Sequence, residues 1–370
     1  MAGPAHPGEL TRRYTLGTAA DDAALRRLLR ENPMHGAVTV AFEREPDFFR
    51  GAGIAGAEEQ TIVAFQGDRI ACMGRCIRRD CWVNGHAVRT GYLSELRLDR
   101  AHGGRAGLLR EGFAFFRKLA CDDAAELYFT AIAADNDRAR RFLERGVRGL
   151  PAYRFLANLE TVLIAVPRRI RARLRVEVAT PERVPEFLAL LNAHGRRHQL
   201  STVWTAEMLR SLDRHGMPLE RFLIATDGGV AVACGALWDQ RGFRQTVIRG
   251  YSRLLNAARP FVNAMNVVLG RPRVPEVGEV LAQAFLSPLA FVEGAEAILP
   301  DFIAASFSHA RRMGVEFLAI ALPQEDAGLS VVHRRFSTRS WRSRLYSVDW
   351  PERRALPMRG TAFLPDVSLL

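Results

Sequence analysis

The sequence predicts an α/β (α+β) protein built from two similar mixed-sheet units in tandem, the second diverged from the first. Three observations carry this. Strand-like stretches alternate with amphipathic helical ones along all 370 residues. The order of these stretches in the first half recurs in the second. An arginine-rich segment separates the halves, and the length suits two domains.

The first unit spans residues 12–166. A strand near Tyr14 is followed by a helix starting at Asp21-Asp22, with Leu25, Leu28 and Leu29 at helical spacing. Residues 61–66, Gly67-Asp68 and 69–76 read as strand, turn, strand. A helix over 108–120, a strand over 127–133 and a helix over 137–145 complete the series. The second unit spans 176–350. Val176 and Val178 form a strand, and Thr180-Pro181 opens a helix carrying Phe187, Leu188, Leu190 and Leu191. Residues 221–226, 227–229 and 230–238 repeat strand, turn, strand, and 295–313, 315–322 and 329–336 repeat helix, strand, helix. Residues 167–175 hold five arginines and form a basic linker, and 351–370 form an irregular, late-packing tail. An apolar insertion over 254–269 reads as a helix that lines a cleft between the units or packs on the core.

Composition narrows the function. Hydrophobic residues make up 48% and charged residues 25%, which excludes wholesale disorder. No apolar run is long enough for a membrane span, and the first residues lack a signal-like core, so a cytoplasmic protein with no membrane partner is expected. Five cysteines fit buried thiols in a reducing compartment, not a metal cluster or disulfides. The net charge of +12 is nearly all arginine, since Lys118 is the only lysine. Arginine's planar fork suits phosphate and carboxylate, which points to an anionic ligand without choosing it.

Residues 90–120 concentrate the chemistry. Residues 92–98 alternate as a strand, with Leu96 and Leu98 on one face and Glu95 and Arg97 on the other. A loop with Gly103, Gly104 and Gly107 follows, and then a helix. The first turn of a helix leaves N–H groups unpartnered, and the peptide dipoles add positive potential there. Glycines let a phosphate approach that backbone, so a pyrophosphate is expected on Gly103, Gly104, Arg105, Ala106 and Gly107. A P-loop would need Gly-Lys-Ser/Thr, which this loop lacks. Downstream, Asp135 or Asn136 can cap the next helix and Gly146 can end it.

The strand LSELRLD, the loop RAHGGRAG with its helix, and the later N-x-x-A-x-x-F-L-E-x-G together resemble the GNAT superfamily of acyl-CoA-dependent N-acyltransferases. The resemblance covers the first unit, and the second would be a degenerate copy. It implies an N-acyltransferase, with acetyl-CoA as default donor and a small-molecule, peptide or protein amine as acceptor. It implies that the strand before the loop parts from its neighbour, and that the main chain of Leu96, Arg97 and Leu98 holds the pantetheine arm. Asn136 would contact that arm, Glu95 would serve as base, and Tyr153, or else Tyr128, would stand in for the family's tyrosine acid, whose usual place holds Phe142-Leu143. Arg105 departs from the usual loop, which has a small residue there. The second unit lacks the loop: residues 285–294 carry one glycine and Pro288, so that half is expected not to bind CoA. A non-catalytic acyl-CoA-binding protein is the alternative. A transferase acting on charged RNA ranks below both, so nucleic acid is the least favoured partner; oligomeric state is left open. His194 and His198, four apart, lack a third ligand, and Trp204, Trp238, Trp341 and Trp350 are read as core or interface residues.

Overall fold

A computed structural model describes residues 12–99, 105–119, 125–351, 356–360 and 362–370. Strand β1 (Arg12–Leu16) leads to α1 (Asp22–Glu31), whose Leu25, Leu28 and Leu29 are buried against Val63, Phe65 and Met73. After β2 (Val38–Glu43), strands β3 (Glu58–Gln66), β4 (Arg69–Val83) and β5 (His86–Leu98) form an antiparallel meander. The β4–β5 turn is Asn84-Gly85, both at positive φ (53° and 80°), the conformation that two-residue hairpins favour. Helix α2 (Arg105–Leu119), β6 (Leu127–Ala133), α3 (Asp137–Glu144) and β7 (Ala152–Ala165) complete the first half.

The second half repeats the series. It runs β8 (Val176–Val178), α4 (Val184–Arg196), α5 (Ala206–Ser211), β9 (Phe222–Asp227) and β10 (Val230–Trp238), with β11 (Gln245–Tyr251) and α6 (Arg253–Val268) interposed. Then come β12 (Gln283–Phe291), α7 (Leu299–Arg312), β13 (Phe317–Pro323), α8 (Ala327–Arg335) and β14 (Thr338–Asp349).

Twelve of these strands form one mixed sheet, in the order β1-β3-β4-β5-β6-β14-β7-β13-β12-β10-β9-β8. Read from either edge, the elements are equivalent, so the mirror point lies between β14 and β7. Each half's last strand is exchanged: β14 pairs with β6, and β7 pairs with β13. The two exchanged strands also pair with each other along their length, from Thr338–Ile164 to Asp349–Ala152. A second, two-stranded sheet of β2 and β11 also joins the halves.

The linker 167–175 has no regular structure; its five arginines are exposed, and Ile170 and Leu174 rest on the second-half core. The described residues of the tail are irregular, and from Phe363 on they are packed. Leu364 and Gln199 share a backbone hydrogen bond, Ser368 and Leu369 are buried, and Leu370 packs with Tyr92 and Phe129. Trp204, Trp238 and Trp350 are core residues, whereas Trp341 is 40% exposed. Helix α6 does not pack in the core: none of its residues is buried. Among the described residues no helix is long and apolar enough to cross a membrane, and no cluster of three or more ligating side chains could hold a metal. Cys72, Cys76, Cys81 and Cys234 are buried, and burial pushes the first three thiols up to about 12, 12 and 11; Cys121 lies outside the described residues.

Candidate active site

Strands β5 and β6 are paired in parallel over only three positions, Thr90–Leu127, Gly91–Tyr128 and Tyr92–Phe129. Beyond Tyr92 they part. Strand β6 turns to follow β14, from Phe129–Ser347 to Ala133–Ser343, while β5 stays with β4. A link across the start of the gap runs from Thr130 Oγ1 to the Leu93 carbonyl, at 2.7 Å. The β5 main chain through Leu96, Arg97 and Leu98 therefore has one edge on β4 and the other on the gap.

A bulge sits on this edge. Met73 faces Arg97 and Arg75 faces Ser94, so Glu95 and Leu96 share a place opposite Gly74. Glu95 takes φ 50°, a left-handed conformation uncommon outside glycine. Such a bulge leaves a residue outside the ladder. It also resets the alternation: Leu93, Leu96 and Leu98 pack on the α2 side with Phe113, Phe116 and Leu108.

Helix α2 starts beside this edge. Ala106 at its first turn is exposed, and Leu108 and Leu109 are buried. Arg12 reaches over the same turn: a Cβ on Gly107 would come within 2.9 Å of its Nη1, which also pairs with Glu111 at 2.9 Å. Arg12 is thus a cation at the helix start that sequence reasoning missed, since 95 residues of chain separate it from Gly107. Gly103 and Gly104, and the side chain of Arg105, lie outside the described residues. Asn136 caps α3, accepting from the Ala139 N–H at 3.2 Å, and is exposed.

Glu95 does not hang free in the gap. Its Oε1 accepts from Arg44 Nε and Nη2 at 2.7 and 2.6 Å, and its Oε2 lies 3.2 Å from Arg75 Nη1. Arg75 also pairs with Glu59, and both guanidiniums lie 5.5 Å from the Phe48 ring centre. Arg244 adds a further, half-buried cation, held down to about 10 by burial and by Arg44. Burial alone would raise the Glu95 carboxyl, but Arg44 and Arg75 overcome it and hold the group down at about 2. A carboxylate so held is a weak base at neutral pH. Its partners come from β2's end and from β4, so nothing local to LSELRLD signals them.

Tyr153 on β7 packs beside Leu93 and Phe113, and burial holds its phenol well above the usual value. Tyr128 is a core residue whose hydroxyl accepts from the Ala125 N–H at 3.2 Å. On the face away from α2, a cavity of about 560 Å³ is lined by Arg79, Arg89, Arg210 and Arg214.

No family model matches the sequence, and comparison with curated proteins finds no match. The fold, however, has clear likenesses among solved structures. Saccharomyces cerevisiae N-myristoyltransferase with bound myristoyl-CoA aligns over 98% of this chain and 91% of its own, with TM-score 0.61 and 11% identity. A GCN5-related N-acetyltransferase from Sphaerobacter thermophilus aligns over 94% of this chain and 98% of its own, with TM-score 0.55 and 13% identity. The chain therefore has the architecture of the GNAT and N-myristoyltransferase folds across its whole length.

Proposed function

We propose that this chain is an N-acyltransferase that moves an acyl group from acyl-CoA to a primary amine. The observation that supports it most is the parting of β5 from β6 beside the start of α2. A thin arm can lie along the free β5 edge as a substitute strand, held by the main chain of Leu96 to Leu98. The exposed first turn of α2 offers amides to a pyrophosphate, with Arg12 beside it. Asn136 keeps its amide N–H₂ for the arm, because its oxygen is used in capping.

The reaction needs a neutral amine, an oxyanion donor and an acid for the leaving thiolate. We assign the donor to a backbone N–H of the Glu95–Leu96 bulge. We assign Glu95 to fixing Arg44 and Arg75 beside the bulge, with the amine proton leaving through water. Tyr153 packs beside Leu93, but a phenol held well above the usual value is as weak an acid as Glu95 is a base, so we route the thiolate's proton through water as well. Acetyl-CoA is the donor expected. The likeness to an enzyme with bound myristoyl-CoA makes acyl length an arm of the test.

Calorimetry with acetyl-CoA and myristoyl-CoA should give one equivalent per chain. Absence of binding of either at millimolar concentration overturns the proposal. Release of free thiol with an amine panel separates the enzyme from its alternative, a protein that binds acyl-CoA without turning it over.

A further inference from the structure

Helix α6 is built inside out. Arg259, Asn263 and Asn266 turn toward the segment 272–275 that follows the helix. Arg259 Nη1 donates to the Pro275 carbonyl at 3.2 Å, and Asn266 Nδ2 to the Pro272 carbonyl at 2.9 Å. Asn263 exchanges two hydrogen bonds with the backbone of Val274. The opposite face carries Leu254, Phe261, Met265 and Val268, which are 86, 73, 48 and 83% exposed, with only alanines between them at that spacing. A helix resting on a protein in water turns its apolar stripe inward. Here the capping Ser252, the asparagines and Arg259 hold it the other way. A contiguous apolar face of this kind marks a contact surface.

The surroundings identify what covers it. From Arg253 to Pro275 there is no acidic residue, and Arg253 and Arg271 flank the helix, while Arg273 is paired with Glu279 at 2.7 Å. At its C-terminal end, the Arg168 N–H donates to the Gly270 carbonyl at 3.1 Å, and the exposed Arg169, Arg171, Arg173 and Arg175 run on from there. A second copy docking by two-fold symmetry would set this basic rim against itself. An anionic lipid surface satisfies both features at once, apolar side chains below and arginines at the headgroups. We propose that α6 docks this protein on anionic bilayers, lying in the interface with Leu254, Phe261, Met265 and Val268 in the acyl boundary. An interfacial helix needs no membrane span, so the sequence's lack of one does not bear on it. The inference stands independently of the acyltransferase reading.

The test is co-sedimentation of the full chain with phosphatidylcholine vesicles, with and without 30 mol% phosphatidylserine. Binding to the anionic vesicles should exceed binding to the neutral ones by about tenfold or more and should fall as salt rises. Phe261→Ser with Val268→Ser should weaken it about tenfold or more. Arg169→Glu with Arg171→Glu and Arg173→Glu should weaken it at least as much, while helix content and Tm stay at the wild-type level. Equal, weak sedimentation with both vesicle types overturns the proposal. So does a dimer in sedimentation velocity that Phe261→Ser converts to monomer, because the face then belongs to a second copy.

Discussion

The two halves solve the same local geometry with different residues. In each, a parallel pair holds for three positions and then opens: β5–β6 after Tyr92–Phe129, and β12–β13 after Phe285–Ala319. In each, the first strand of the pair carries a bulge just past that point. The first bulge is Glu95-Leu96 opposite Gly74; the second is Ser287-Pro288 opposite Ala236. Leu96 has an N–H to give and Pro288 has none. The helices differ likewise. Helix α2 begins with an exposed Ala106 after a glycine-rich segment, whereas α7 begins with buried Leu299 and Pro300. The second gap is occupied by protein, with Ser368 Oγ donating to Ser287 Oγ at 3.0 Å. A parted strand pair is thus a feature of the architecture that both halves share.

Swapping these features should make the first half behave as the second does. Leu96→Pro copies the second bulge into the first. Turnover is expected to drop by about 10²–10³-fold, the usual cost of one oxyanion donor, with a fall in Tm as well, because Leu96 packs beside Leu108 and Glu95 before it holds a positive φ that a following proline disfavours. A steady-state rate beside a melting curve checks this. Next is Glu95→Gln, which leaves Arg44 and Arg75 short of a buried counter-charge. It should cost about 3 kcal/mol by urea denaturation. Its pH–rate profile should keep the wild-type shape, since a carboxyl held at about 2 does not titrate near neutrality.

Acid should distinguish the halves too. His194, buried between α4 and β12, is held down to about 3 by burial, with His198 and Arg197 adding to it. The unfolded chain takes up that proton below about 6.5 and the native chain refuses it, so stability falls as pH drops from 6.5. By pH 5 the loss reaches ~2 kcal/mol, and His194→Asn should remove most of that slope. The Glu95 ion pairs have the same sign in a lower window, at full strength above the usual carboxyl range and lost as pH falls toward 2. Arg12→Ala should have the smallest effect, a loss of acyl-CoA affinity of about fivefold with turnover at saturation unchanged, because it removes one half-buried cation, already shared with Glu111, from the helix start.

What the sequence disclosed is what neighbouring residues decide. The helix stripe of Leu25, Leu28 and Leu29, the Asn136 cap and the strand–loop–helix around Glu95 all rest on short spacings. What it withheld depends on distant partners. Nothing in β7 or β14 says that each will leave its own half. Arg44 lies 51 residues from Glu95 and holds its carboxylate in an ion pair. The periodicity of residues 254–269 announces a helix but not that its apolar face looks outward. The irregular composition of the tail likewise hides its burial, since Ser368 and Leu369 are held by contacts with partners far along the chain.

The exchange of β7 and β14 has a consequence for how the molecule comes apart. Proteolysis between Pro167 and Arg175 would cut the covalent join yet release neither piece, because each fragment's terminal strand remains zipped into the other's sheet. The nicked protein should behave as one body, and two separately made fragments, each left with a raw sheet edge, should be insoluble apart and complement on mixing.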